Sequence, residues 1–398
     1  MEMKLSRRIS EMQESATIKM DQLARDLKAK GRNVISLSLG EPDFDTPYPI
    51  KEAAWKALKD GHTKYTPVPG KMELREAISN KFKSENGLDY SIDQIVVSNG
   101  AKQSIANVCL ALLDPGDEVI LFTPYWVSYF EIVRLAGGVP IELFAGIENE
   151  YKVNAKQLKA ALTEKTRLII FSSPCNPTGS FFSEEELREI SRVVLDHPHL
   201  MVLSDEIYEY INFSGKHFSI GSVEGMLERT ITVNGFSKGF AMTGWRLGYM
   251  GAPLWLAKAC SKVQAQFTSG ANAFSQMAAV TALNGDRSEV ELMRDTFAKR
   301  KDIILELLSK IPGFKVNNPQ GAFYVFVEAK DLIGKKFNGS NIGSIDDFCL
   351  LLLEKSGVAV VPGSAFGAAN YFRISYASSE EDLREACKRI GEFVSGLE

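Results

Sequence analysis

The sequence predicts an α/β fold: a mostly parallel sheet covered by helices in a large domain, followed by a smaller α/β block. Three observations predict it. At 398 residues the chain is too long for one small core and suits about two domains. Short apolar runs recur at Ile95–Val97, Val119–Phe122, Leu168–Phe171, Met201–Leu203 and Ile231–Val233, and they read as buried strands. Helical patterns lie between several of them, as in Lys102–Leu113 and Glu184–Leu195, which implies parallel strands covered on both faces.

In chain order, Ile18–Lys30 reads as an amphipathic helix stopped by Gly31. Gly40-Glu-Pro-Asp-Phe-Asp-Thr-Pro47 is turn-rich and reads as a crossing between two bodies of structure. Each apolar run then ends in a polar or glycine-bearing loop. These begin at Ser98-Asn-Gly-Ala-Lys102, Thr123-Pro-Tyr-Trp126, Ser172-Ser-Pro-Cys-Asn176, Ser204-Asp-Glu-Ile-Tyr208 and Asn234-Gly-Phe-Ser-Lys238. Ligands of open parallel sheets bind beyond the carboxyl ends of the strands, so five polar clusters are expected on one rim. Glu289–Lys310 reads as a long helix ended by Pro312-Gly313. The second block has strand-like Ala322–Val327 and Val358–Val361, a solvated loop over Lys335–Ser344, and a helix from Glu380 to about Phe393.

Composition narrows the function classes. Hydrophobic residues make up 45% and charged residues 24% of the chain, the proportions of an ordinary globular protein. A net charge of -4 gives no sign of the basic face that nucleic-acid binding needs. The five cysteines, Cys109, Cys175, Cys260, Cys349 and Cys387, are scattered and form no C-x-x-C pair. That argues against a disulfide framework or zinc site and for a reducing compartment. His197-Pro-His199 is too little for a metal site. The N-terminal residues lack the apolar stretch of a signal peptide, and no run approaches the roughly 18 apolar residues of a membrane span. The expected location is the cytoplasm, with no membrane partner.

The densest motif is Gly235-Phe-Ser-Lys-Gly-Phe-Ala-Met-Thr-Gly-Trp-Arg-Leu-Gly248. Lys238 follows a strand directly, in a glycine-flanked loop. Most loop lysines are simply solvated. On a concave, partly dry rim the charged form is disfavoured, and the amine becomes a better nucleophile. Ser237 and Arg246 suit a phosphate, as a hydroxyl donor and a planar fork. Residues 235–239 also fit G-x-S-x-G, the nucleophile elbow of hydrolases. In that fold the acid and histidine follow the serine. Here all four histidines, at 62, 197, 199 and 217, precede Ser237, which weakens the hydrolase reading. The strand-end glycines do not form G-x-G-x-x-G, which weakens a nucleotide-dependent oxidoreductase.

The whole pattern resembles the class I aminotransferases of the aspartate aminotransferase family, fold type I pyridoxal-phosphate enzymes. The resemblance spans nearly the full chain. It rests on Gly40-Glu-Pro-Asp-Phe44, Lys64-Tyr-Thr-Pro67, Gly100-Ala-Lys102, Tyr125-Trp126, Asn176-Pro-Thr-Gly179, Ser204-Asp-Glu-Ile-Tyr208, Ser237-Lys238, Arg246 and Phe372-Arg-Ile-Ser375. It implies a large cofactor-binding domain over residues 46–294 and a small domain over 1–45 and 295–398.

The resemblance also implies roles. Lys238 holds pyridoxal 5'-phosphate as a Schiff base. Asp205 pairs with the pyridine nitrogen and keeps the ring cationic; its competing role is a helix N-cap. Tyr208 and Asn176 hydrogen-bond the ring's phenolic oxygen. Trp126 stacks on the ring, although a single Trp is as well explained by core packing. Gly100, Ala101 and Lys102 open a helix, whose N-terminal end with Ser237 and Arg246 makes a phosphate site. Tyr65 matches a tyrosine that reaches the neighbouring subunit's phosphate, which implies a homodimer with shared active sites. Arg373 clamps the substrate α-carboxylate, its competing role being a surface arginine near the end of a strand, and Gly40 lies near the same group.

Amino-group transfer is then expected to run in ping-pong order, with Lys238 moving the α-proton. No arginine stands between Arg246 and Arg287, where many aspartate aminotransferases carry one for the distal carboxylate. The chain looks closer to a bacterial and plastid branch associated with dicarboxylate recognition by a lysine and N-terminal hydroxyls. Lys102, Ser15 and Thr17 match these. Aspartate with 2-oxoglutarate is the expected pair. Some members of that branch use prephenate, with a lysine where this chain has Gln13, which lowers that alternative. Aromatic amino acids or alanine remain as other donors. Two rivals keep the cofactor: a same-fold lyase, and a non-enzymatic regulator with an added DNA-binding domain. The chain reaches the family's N-terminal segment almost at once, so no such domain is expected.

Overall fold

The computed structural model describes residues 4–12 and 14–398; Gln13 lies outside the described residues. A seven-stranded sheet forms the large body. Its spatial order is Ile95–Ser98, Gly248–Gly251, Thr230–Gly235, Met201–Asp205, Thr166–Ser172, Glu118–Thr123 and Val139–Phe144. Gly248–Gly251 runs antiparallel to both neighbours, while the remaining pairs are parallel. All five expected strands are present, each extended beyond its apolar run.

Alternate residues of one strand serve opposite layers, because successive side chains of a strand point to opposite faces. Val119, Leu121, Leu168 and Ile170 pack into one buried cluster, with residues of helices Ala101–Leu112 and Leu254–Phe267. Ile120, Phe122, Ile169 and Phe171 pack into another, with helix Glu184–Leu195. Both faces are therefore apolar, which is why these strands read as unbroken apolar runs rather than alternating ones.

Two strands of this sheet escaped the sequence reading. Val139–Phe144 is an edge strand, contains Pro140 and is half-exposed, so it lacks a buried run. Gly248–Gly251 has glycine at both ends because its neighbours leave no room. A Cβ on Gly248 would collide with the backbone of Ala101, and one on Gly251 with the Tyr90 ring.

The second body has a four-stranded antiparallel sheet, ordered Val361–Pro362, Tyr371–Ser375, Tyr324–Glu328 and Lys315–Val316. Helices Ser288–Leu308, Ile345–Ser356 and Glu380–Ser395 contribute to the same buried cluster. The N-terminal helix Ala16–Ala29 joins it through Met20 and Ala24. Two expectations change here. Val358–Val361 is not one strand: Val358–Ala359 pairs with Ile35–Ser36, and Val361–Pro362 pairs with the strand of Arg373. Lys335–Ser344 is not simply a loop. It holds a hairpin pairing Lys336–Phe337 with Ser340–Asn341, turned by Asn338 and Gly339 with φ of 46° and 80°. Asn-Gly is the residue pair favoured in such tight turns.

No helix among the described residues is long and apolar enough to cross a membrane.

Candidate active site

The strand ends converge on a cavity of about 280 Å³ at the carboxyl rim of the parallel strands. Its lining includes Lys238, Asp205, Tyr208, Asn176, Trp126 and Arg373, drawn from both bodies. Ala101, Lys102, Ser237, Arg246, Gly40, Ser15 and Thr17 line it as well. Of the residues singled out from sequence, Gly100 and Tyr65 stand apart from this lining. Among the described residues no histidine lines it either, so Ser237 lacks the histidine base that the hydrolase reading requires.

Lys238 leaves the loop after strand Thr230–Gly235. Its Nζ donates to the Gly40 carbonyl at 2.5 Å. Burial pushes this amine down to about 8, with Arg373 and Arg246 adding to the effect while Glu41 and Asp205 oppose it. Neutral amine is therefore available near neutral pH.

Asp205 ends strand Met201–Asp205 and is 4% exposed. Its Oδ2 accepts from the Tyr129 hydroxyl at 2.6 Å, and its Oδ1 from the Ile207 N–H at 3.2 Å. The second bond is of the kind an N-cap aspartate makes to the backbone two residues on. Burial raises this carboxyl to about 6, against the pull of those two donors. A cation facing it in the cavity would favour the ionised form.

Asn176 and Arg373 bridge the two bodies. Arg373 Nη1 donates to Asn176 Oδ1 at 2.8 Å, and Nη2 donates to the Ser38 carbonyl at 2.6 Å. Arg373 is 2% exposed, and its Nε has no partner among the described residues. A buried cation with only neutral partners is costly. Burial accordingly depresses its pKa.

A second cationic group of lining residues is formed by Lys102 and Arg246. Helix Ala101–Leu112 begins there, and the N–H groups of Ala101 and Lys102 have no intrahelical acceptor, whereas that of Gln103 donates to the Gly100 carbonyl at 3.0 Å. Gly100 contributes by having no side chain. Its own N–H is taken by the Ser98 carbonyl at 2.8 Å. It has φ of +83°, and an added Cβ would stand 2.5 Å from Arg246 Nη2. Arg246 itself holds φ of 54°, a conformation that costs a non-glycine residue free energy and clusters at functional sites. Lys102 lies over Trp126, with Nζ 4.9 Å from the ring centroid. Partial burial and Arg246 push its pKa down.

Ser15 and Thr17 sit at the start of helix Ala16–Ala29, Ser15 as its N-cap residue without a side-chain cap bond. Tyr65 is 98% exposed. Two aromatic lining residues carry no mark of their own in the sequence. Tyr129 lies one helical turn beyond Trp126, a spacing that placed it on the same side. Tyr324, from the small sheet, carried no local signal.

Comparison with known proteins agrees with this architecture. A family model described as aminotransferase class I and II matches residues 32–390. A probable aspartate/prephenate aminotransferase of Rhizobium leguminosarum is 49% identical, over 97% of each chain. A Petunia hybrida protein, named as a bifunctional aspartate aminotransferase and glutamate/aspartate-prephenate aminotransferase, is 48% identical, over 97% of this chain and 82% of its own. The solved aspartate aminotransferase of Rhizobium meliloti superposes with a TM-score of 0.96 at 44% identity, covering 100% of both chains. That of Thermus thermophilus with maleate gives 0.93 at 41% identity, covering 98% of this chain and 100% of its own. Fold, converging strand ends and relatives agree: the chain belongs to the class I and II aminotransferases.

Proposed function

We propose that this aminotransferase binds pyridoxal 5'-phosphate at Lys238 and exchanges amino groups between dicarboxylic acids. Aspartate and 2-oxoglutarate give oxaloacetate and glutamate in ping-pong order. The observation that carries the reading is Arg373, buried with neutral partners and a free Nε. A substrate carboxylate is the ligand that completes such a group. Names of the relatives point to the same substrate class.

The residues fit the cofactor. Gly100 keeps clear the space where a Cβ would press on Arg246, and the helix N-terminus, Ser237 and Arg246 suit its phosphate. Asp205, buried and hydrogen-bonded through both oxygens, suits a protonated ring nitrogen. When bound, the cofactor supplies a carbonyl for amines and an electron-accepting ring. Arg373 holds the substrate α-carboxylate and orients the Cα–H bond toward Lys238. Lys238, its charged form disfavoured by burial, takes the α-proton and later returns it. Asp205 keeps the proton on the ring nitrogen, while Tyr208 and Asn176 donate toward the phenolic oxygen. Trp126 covers the ring face. Lys102, Ser15 and Thr17 face the distal carboxylate. In this reading residues 46–294 hold the cofactor, and 1–45 with 295–398 carry the clamp. Tyr65, 98% exposed on its own chain, serves the neighbouring active site of a cytoplasmic homodimer.

A second reading is use of prephenate as amino acceptor, favoured by relatives named aspartate/prephenate aminotransferases. One experiment tests both. Purified enzyme is given a panel of amino donors with 2-oxoglutarate, and prephenate as an alternative acceptor, beside Lys102→Ala. The expected result is fastest oxaloacetate formation from aspartate, with dicarboxylate preference lost in the variant. A lyase product without glutamate would overturn amino-group transfer, and unchanged preference in Lys102→Ala would remove that residue from specificity.

A further inference from the structure

We propose that Tyr324 is a positioning residue that couples the carboxylate clamp to the proton held at Tyr208; this rests on the reading above, in which Tyr208 faces the cofactor's phenolic oxygen.

Tyr324 is fully buried and Tyr208 is 3% exposed. Their hydroxyls lie 2.8 Å apart, and each phenol has one proton to give. If Tyr208 donated to Tyr324, it would have no proton left for an oxygen in the cavity. With Tyr324 as donor, the Tyr208 proton stays free, and the incoming bond polarises Tyr208 into a stronger donor.

The same side chain touches the clamp. The Arg373 guanidinium carbon lies 4.5 Å from the centroid of the Tyr324 ring and 5.0 Å from that of Phe366. A guanidinium on ring faces is attracted by their negative quadrupole, so the rings help fix its plane. Tyr324 and Arg373 stand on paired antiparallel strands, with Phe326 opposite Arg373 and Tyr324 opposite Ser375. They belong to one sheet. Tyr208 belongs to the loop after Met201–Asp205, in the other body. Any shift of the clamp therefore changes the hydroxyl pair.

Gly40 marks the tightness of the arrangement. A Cβ there would stand 2.5 Å from the Tyr324 hydroxyl oxygen, and the Gly40 carbonyl accepts from Lys238. The charged groups acting on the pair are Arg373, from the paired strand, and Asp205, from the strand leading to Tyr208.

The test uses cofactor-loaded enzyme and the pH midpoint of its visible absorption band, with and without a dicarboxylate that lacks an amino group. Tyr324→Phe removes the hydroxyl and keeps the ring. Losing one donor to Tyr208 is expected to raise the midpoint by about half to one pH unit. The KM for aspartate should change little, because the ring still supports Arg373. The shift caused by the dicarboxylate should shrink. Tyr208→Phe should raise the midpoint too, and adding Tyr324→Phe to it should then do nothing. An unchanged midpoint in Tyr324→Phe, beside a raised one in Tyr208→Phe, overturns the coupling alone. An additive effect of the two substitutions overturns it as well. If Tyr208→Phe leaves the midpoint in place, the cofactor reading fails and the inference falls with it.

Discussion

The amine of Lys238 should titrate far below an ordinary lysine in the cofactor-free protein. Burial lowers it from 10.5 to about 8, with Arg373 and Arg246 pushing the same way. At pH 7 a group of pKa 8 is about 9% neutral, against about 0.03% for one at 10.5, roughly a 300-fold difference. The sign follows directly: the group is protonated and unreactive below about 8, and neutral and nucleophilic above it. Glu41 opposes the shift, so Glu41→Gln should move the midpoint lower still. The same depression bears on stability. The unfolded chain binds more protons between about 8 and 10.5, so this group's contribution to stability rises with pH across that window and is unfavourable below it. A pulse of acetic anhydride at graded pH, followed by mass spectrometry of the Lys238 peptide, reads the midpoint. A midpoint near 10, or one that rises in Glu41→Gln, would refute the argument that a dry, cation-flanked cavity activates this amine.

Two further outcomes follow from named contacts. Arg373→Lys keeps the charge but loses the planar fork; with a charge-assisted bond worth about 1.5–3 kcal/mol, kcat/KM for amino and keto acids should fall about 10- to 150-fold. Steady-state kinetics with both substrate types checks it, and an unchanged KM for both would exclude Arg373 as the clamp. Arg300 holds Asp43 through bonds of 2.7 and 2.8 Å and lies against Phe44 and Phe297, tying helix Ser288–Leu308 to the Gly40–Phe44 loop. Arg300→Met should cost about 0.5–1.5 kcal/mol by leaving Asp43 without its partner, the penalty being reduced because the Asp43 side chain is partly exposed to water. Thermal unfolding should show it as a lowered Tm, together with a raised KM because the loop beneath Lys238 loosens.

Much of the fold and site was legible along the chain, and the limits have physical causes. Strands such as Leu168–Phe171 announced themselves because both faces of that sheet are buried. Val139–Phe144 did not, because an edge strand needs neither buried face nor continuous apolar run. Asn338-Gly339 was a readable turn signal, masked by the polar residues around it. Lys238 and Asn176 follow strands and Asp205 ends one, so strand order alone brought them to one rim. Tyr324 follows Gly321-Ala-Phe323 with no polar neighbour in the motif, and nothing local set it apart from a core tyrosine.

The sequence by itself determined the order of strands and helices, the polar loops at their ends and the glycine-flanked lysine, because these depend on local periodicity and on residue types at strand ends. It left open whether Arg373 was a surface arginine or a clamp, and whether Asp205 was a cap or a ring partner. Only the tertiary structure decided that Arg373 is buried with Asn176 and Ser38 as its partners, that Tyr129 binds Asp205, and that Tyr324 meets Tyr208. These pairs join residues far apart in sequence. Their burial, and with it the lowered pKa of Lys238, exists only when two bodies of structure meet around one cavity.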